Sequence, residues 1–361
     1  MNKDKYYMFT PGPVKMPDYV LEEGAKQVPY FRTKDFSKTV LECEKMLLEL
    51  SGAEEGSRML LLAASGTGAM ESVIVNLLNS KDKAFVINGG SFGQRFVDIC
   101  NIHKINNIDH KLDYGTSFDV KTLDSIPNDV SAFVVNGHET STGVLYDLDA
   151  IGSFCKKKNL VFIVDAISMF LTDNINMKDM GIDALILSSQ KGLALPPGLS
   201  ILILSKKAQD MILSNSKNVN MMYLKLEAYL KDMERGQNPY TPPVGIILQL
   251  HKRLEHIIKN GGLRTEIARA KKVAEYFRLK IKDLPLKIFS SSLPNAVTSL
   301  TPTDGKSAQK IVSDLFDRYN IYVCPNGGEI KDKVFRVSHM GDIDNAYTDV
   351  LLSALNDYYS K

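Results

Sequence analysis

Short, continuous apolar runs alternate with helical periodicity over the first two thirds of the chain. The runs are Met59–Ala63, Ala84–Ile87, Ala132–Val135, Leu160–Val164, Ala184–Leu187 and Ser200–Leu204. Continuous rather than alternating apolar character marks strands covered on both faces. Between them the spacing predicts helices over Ala69–Leu78, Gln94–His103 and Ala150–Lys157. A helical pattern also runs from about Tyr19 to Leu50, where Val40, Cys43, Leu47 and Leu50 recur every three or four residues. Such repetition predicts an α/β domain with a mainly parallel central sheet and right-handed crossovers.

The texture changes after about Val244. Ile246–Ile258 and Leu263–Ile281 read as long helices, Ala296–Leu300, Ile321–Val323 and Val334–Val337 as strands, and Ala308–Tyr319 and Ala346–Tyr358 as further helices. This predicts a smaller C-terminal α+β domain. The expected organisation is an irregular N-terminal segment over 1–16, built around Thr10-Pro11-Gly12-Pro13, a large domain over 17–245 and a small one over 246–361.

Charge and cysteine content narrow the function. Lys and Arg number 44 against 42 Asp and Glu in 361 residues, a net charge of +2. That balance offers no global field for nucleic acid or an anionic membrane, so neither is an expected partner. An apolar fraction of 44% with so little net charge excludes disorder as the dominant state. Cys43, Cys100, Cys155 and Cys324 are too far apart in sequence for a CxxC pair or a disulfide framework, and are expected to be reduced thiols. Residues Met1–Tyr7 carry charge with no apolar run behind them, unlike a signal peptide. The most apolar long stretch, Ala184–Leu204, is interrupted by Gln190, Lys191, Pro196, Pro197 and Gly198 and does not suit a membrane helix. A cytoplasmic protein is expected. The histidines form no metal-binding spacing, and no metal is expected.

Three constellations carry chemistry. Ser65-Gly66-Thr67-Gly68 follows a strand and opens a helix; free N–H groups, two glycines and two hydroxyls there make an anion cradle, or simply a well-capped turn. It lacks the third glycine of a dinucleotide fingerprint and the lysine of a P-loop. Asp165 ends the run Val161–Val164, where ligands bind in open α/β sheets, although a turn or helix-capping Asp has the same look. Lys191 follows the run Ala184–Leu187 among Ser188, Ser189 and Gly192, as befits a lysine whose lowered pKa makes it a Schiff-base nucleophile. Asp165 and Lys191 are 26 residues apart, one strand–helix–strand unit, so both emerge at one sheet edge. Cradle, carboxylate and lysine match the phosphate, pyridinium nitrogen and aldehyde of pyridoxal 5′-phosphate.

With these residues in place the sequence resembles the class V aminotransferases of the fold-type I pyridoxal-phosphate enzymes, nearest the alanine–glyoxylate, serine–pyruvate and 2-aminoethylphosphonate group. Matching stretches in family order are Thr10–Pro13, Ser65–Gly68, Gly90–Arg95, His138–Gly143, Val164–Ser168, Ser188–Lys191 with Pro196–Gly198, Thr241–Pro243 and Phe335–Gly341. The resemblance implies that Lys191 carries the Schiff base and moves the proton, and that Asp165 holds the pyridinium proton. It implies that Ser65, Gly66, Thr67 and Gln190 bind the phosphate, that Phe92 covers the ring face and that Thr140 stands near the phenolic oxygen. Thr241 then reaches the cofactor of a neighbouring subunit in a homodimer with shared active sites. Arg336 clamps the substrate carboxylate, Gly12 lies at the substrate, and Arg32 is a second cation for an acidic group. His339 is expected to be a packed or hydrogen-bonded histidine.

The implied reaction is a ping-pong transfer of an amino group from a small amino donor to a 2-oxo acid, pyruvate or glyoxylate. The alternatives are a 2-aminoethylphosphonate or other phosphorylated-amine transaminase acting through Arg32, and, more remotely, a non-catalytic binding protein of the same fold. The desulfurase branch is disfavoured. Its ring position holds His where this chain has Phe92, and Cys324 sits too close before Arg336 to be that branch's loop cysteine.

Overall fold

The computed structural model describes residues 6–360; Met1–Lys5, most of the charged N-terminal stretch, and Lys361 lie outside the described residues. Seven strands form the central sheet: β1 (Arg58–Leu62), β2 (Lys83–Asn88), β3 (Asn106–Lys111), β4 (Ala132–Asn136), β5 (Val161–Asp165), β6 (Ala184–Ser188) and β7 (Ser200–Leu204), in the order β1-β7-β6-β5-β4-β2-β3. β4, β5 and β7 consist of buried residues throughout, as their unbroken apolar runs require. β7 alone runs antiparallel to both neighbours, while β2 to β6 pair in parallel. The sheet is therefore mainly parallel, as expected.

Two features depart from the sequence expectation. The helical pattern from Tyr19 to Leu50 is two helices, Asp18–Gly24 and Lys34–Ser51, separated by an irregular stretch that contains Pro29. Proline lacks the N–H that a continuous helix needs, and Thr33 starts the second helix by accepting from the Phe36 N–H at 3.2 Å. The polar edge strand β3 has no apolar run to announce it; it is held by β2 alone.

The first core gathers apolar side chains from Val20 to Ile257 around the sheet. Helix Val244–Lys259 contributes Ile247, Leu250, Leu254 and Ile257 to it. Each buried side chain of this size is worth roughly 1.5–3 kcal/mol of transfer free energy. A second core joins Phe9 and Phe277 to Tyr358 and the residues between, beside an antiparallel sheet of β8 (Leu286–Ile288), β9 (Val297–Pro302), β10 (Cys324–Pro325) and β11 (Phe335–Ser338) in the order β8-β9-β11-β10. The N-terminal segment serves this second unit, since Tyr7 and Met8 pair in parallel with Ile321 and Tyr322.

Candidate active site

The carboxyl ends of five strands converge. Ser65 follows β1, Phe92 follows β2, Thr140 follows β4, Asp165 ends β5 and Lys191 follows β6, with β1 and β2 to β6 all pointing the same way. Register does the positioning: Asn136 pairs with Asp165, and Asp165 with Ile186 two residues before the end of β6. Ligands bind at this edge of an open α/β sheet because helix N-termini and strand-end side chains meet there.

Lys191 enters from the turn after β6, and its ammonium donates to the Pro11 carbonyl of the N-terminal segment. No carboxylate forms an ion pair with it among the described residues. Burial disfavours the charged amine most and the nearby Arg336 adds repulsion, so its pKa is lowered to about 8. A good fraction of this amine is thus unprotonated just above neutrality, the state in which nitrogen attacks carbonyl carbon. Gly12 lies against the same side chain: with φ of +127°, a β-carbon there would sit 2.6 Å from Lys191 Cδ.

Asp165 is buried, and one oxygen accepts from the Ile167 N–H at 2.8 Å, the other from Asn136 Nδ2 at 2.6 Å. Burial outweighs these hydrogen bonds and pushes its pKa up to about 6. No cation forms an ion pair with it among the described residues. A buried carboxylate held this way would suit a positively charged partner such as a protonated ring nitrogen.

The anion cradle opens helix Gly66–Leu77. Ser65 caps it by accepting from the Gly68 N–H at 3.4 Å, and the Gly66 and Thr67 N–H groups find no acceptor among the described residues. Arg95, whose local spacing does not distinguish it as a site residue, donates to Thr67 Oγ1 at 2.9 Å and lies 4.8 Å from the Phe92 ring centroid. It brings a positive charge to the cradle and lies over the Phe92 ring. Gln190 Oε1 accepts from Ser188 Oγ at 2.6 Å, which leaves the amide N–H groups to donate. These donors fit a phosphate, and with Lys191 and Asp165 the three handles of pyridoxal phosphate each have matching chemistry.

Thr140 is buried and donates to Ser168 Oγ at 2.7 Å. Its carbonyl accepts from Arg336 Nη1 at 3.3 Å. Arg336 Nη2 donates to the Pro325 carbonyl at 2.7 Å and to Cys324 Sγ at 2.9 Å, while the buried Nε–H has no acceptor among the described residues. Glu139, which no sequence spacing singles out, is a fully buried carboxylate that accepts from the Gly93 N–H at 2.9 Å and the Ser141 N–H at 3.1 Å. It pins the start of the helix that carries Phe92. Burial pushes its pKa up.

Two expected site residues stand apart. Arg32 donates to Gln237 Oε1 at 3.1 Å and to the carbonyls of Asn238 at 2.8 Å and Pro239 at 3.3 Å. Its guanidinium braces the loop leading to Thr241, and nothing joins it to Lys191. Thr241 is exposed on that loop. His339, read as a packed histidine, is 1% exposed and shares a 2.7 Å hydrogen bond with Thr298 Oγ1. No group of metal-ligating side chains forms among the described residues.

A family model and several similar proteins name one family. The family described as Aminotransferase class-V matches residues 7–329. An uncharacterized aminotransferase of Methanocaldococcus jannaschii is 31% identical over 93% of this chain and 88% of its own. A serine–glyoxylate aminotransferase of Hyphomicrobium methylovorum is 29% identical over 94% and 85%. Among solved structures, an alanine–glyoxylate aminotransferase from Nostoc superposes with a TM-score of 0.92 at 24% identity, over 98% of this chain and 94% of that one. The resemblance read from the motifs and the fold built from the strands thus agree, and the cofactor of such enzymes is pyridoxal phosphate. The chain belongs to the class V aminotransferases.

Proposed function

We propose that this enzyme moves an amino group from a small amino donor to pyruvate or glyoxylate in two half-reactions, with Lys191 as the amine that joins the cofactor. The observation that carries the reading is a buried lysine, lowered to about pKa 8, on the same sheet edge as the buried carboxylate of Asp165, which forms no ion pair among the described residues. Bound pyridoxal phosphate supplies an electron sink that makes the substrate's Cα–H acidic. Lys191 Nζ takes that proton and returns it, and its lowered pKa suits both tasks near neutral pH. Asp165 keeps the ring nitrogen protonated. Arg336 takes the substrate carboxylate, through the Nε–H that has no partner among the described residues. Gln190, Ser65 and the Gly66 and Thr67 N–H groups hold the phosphate, and Phe92 orients the ring.

Glyoxylate as acceptor is supported by the relatives named serine–glyoxylate and L-aspartate–glyoxylate aminotransferase. The phosphonate alternative has less support, because Arg32 donates to residues 237–239 rather than toward Lys191 of its own chain. We also place the enzyme in the cytoplasm as a homodimer, with the exposed Thr241 reaching a neighbouring subunit's cofactor; no described helix is long and apolar enough to cross a membrane. A panel of amino donors against pyruvate and glyoxylate, read as product amino acid, tests the assignment. Turnover with at least one pair is expected, and a cofactor-loaded protein inert with all of them contradicts it.

A further inference from the structure

We propose that Cys324 is a positioning residue for Arg336 and thereby favours substrates that carry a carboxylate; the inference rests on reading Arg336 as the carboxylate clamp. Cys324 and Arg336 face each other across the antiparallel pair β10 and β11, in direct register. Such cross-strand neighbours are fixed by the backbone ladder, so the thiol and the guanidinium meet without a mobile loop between them. Nη2 is held by two acceptors, Cys324 Sγ at 2.9 Å and the Pro325 carbonyl at 2.7 Å. Nη1 is held by the Thr140 carbonyl at 3.3 Å. The guanidinium is thus fixed at both ends while its buried Nε–H remains without an acceptor among the described residues. An orphaned, charged donor in a buried position calls for an anion.

The chemistry of the acceptor matters. A thiol is a weak hydrogen-bond acceptor. It orients Nη2 yet yields readily to a carboxylate, which binds a guanidinium through two charge-assisted bonds. A carboxylate at position 324 would instead form a permanent ion pair with Arg336 and occupy the clamp. Cys324 thus combines restraint of the arginine with availability to substrate.

The test uses the cofactor-loaded enzyme with the amino acid and 2-oxo acid that the wild type turns over best, and with benzylamine, which has no carboxylate, in a single-turnover half-reaction. Cys324→Ala is expected to raise KM for both acids about tenfold while kcat falls less, Cys324→Ser to recover most of the loss, and Cys324→Asp to raise KM about a hundredfold (about 1.4 kcal/mol per factor of ten). Benzylamine reactivity is expected to be the same in wild type and Cys324→Ala. Unchanged KM values in Cys324→Ala and Cys324→Asp, or an equal loss with benzylamine, overturn the inference. Arg336→Lys distinguishes the two levels: if it leaves KM for the acids unchanged, the clamp reading itself fails and the role of Cys324 with it.

Discussion

Gly12 and Lys191 are packed so closely that no side chain fits between them: a β-carbon on Gly12 would sit 2.6 Å from Lys191 Cδ, 2.8 Å from Cε and 2.9 Å from Nζ. The positive φ of +127° is one that residues other than glycine rarely adopt, so both backbone and space demand glycine. Gly12→Ala is therefore expected to displace the amine and lower kcat at least tenfold. The added backbone strain costs on the order of 1–3 kcal/mol of stability. Steady-state rates beside thermal melts check this; a variant with unchanged kcat would remove the N-terminal segment from the active site.

Asp165 links function to stability through pH. Its carboxyl pKa, raised to about 6 in the folded protein against 3.8 ordinarily, means that the folded state binds the proton more tightly than the unfolded one. Without cofactor, stability therefore falls as pH rises from about 4 to about 6, by on the order of 3 kcal/mol in total. Asp165→Asn removes the buried charge and keeps an oxygen for the Ile167 N–H. That variant is expected to melt higher than wild type at pH 7.5 when cofactor-free, and to lose roughly 100-fold or more in kcat when loaded. Melting curves at pH 4.5 and 7.5 decide the first half, and a variant that melts lower at pH 7.5 refutes it.

Lys191 gives a second pH signature. Its amine is charged below about pH 8 and neutral above. The initial rate of cofactor uptake by the cofactor-free protein should rise from pH 6.5 and level off above about 8.5, rather than keep rising toward the ordinary lysine range. Stopped-flow absorbance during cofactor addition reads this directly. A rate that is flat from pH 6.5 to 9.5 contradicts the lowered pKa.

Arg95 is expected to act on phosphate recognition more than on ring recognition. It holds Thr67 Oγ1 at 2.9 Å and lies beside Phe92. Arg95→Gln is expected to weaken binding of pyridoxal phosphate about tenfold or more, the usual scale for losing a charge-assisted contact. Binding of pyridoxal, which has no phosphate, should change much less. Equal losses for both ligands would assign Arg95 to the ring rather than to the phosphate.

Much of the site is legible in the sequence because buried parallel strands write continuous apolar runs, and the residue that follows each run lands at one edge. Lys191, Asp165 and Ser65 are found by that logic alone. Phe92, Thr140 and Arg336 needed family motifs, since nothing in their local spacing distinguishes them from core or surface residues. The roles of Asn136, Glu139 and Arg95 were out of reach. Asn136 acts on Asp165 across the β4–β5 register, and Glu139 and Arg95 act on neighbouring strand ends, so each depends on pairings that sequence order does not reveal. Arg32 shows the converse: a cation conspicuous in sequence braces a loop in the fold. The polar strand β3 and the break between Asp18–Gly24 and Lys34–Ser51 were likewise settled by pairing and by Pro29 rather than by hydrophobic period.

Lys191 is the amine proposed to join the coenzyme aldehyde. Borohydride reduction of the cofactor-loaded protein, followed by proteolysis and mass spectrometry, measures this most directly. One stoichiometric phosphopyridoxyl group on the peptide that contains Lys191, absent from Lys191→Ala, is the expected result. A label on a different lysine, or wild-type protein that takes up no label at all, would contradict it.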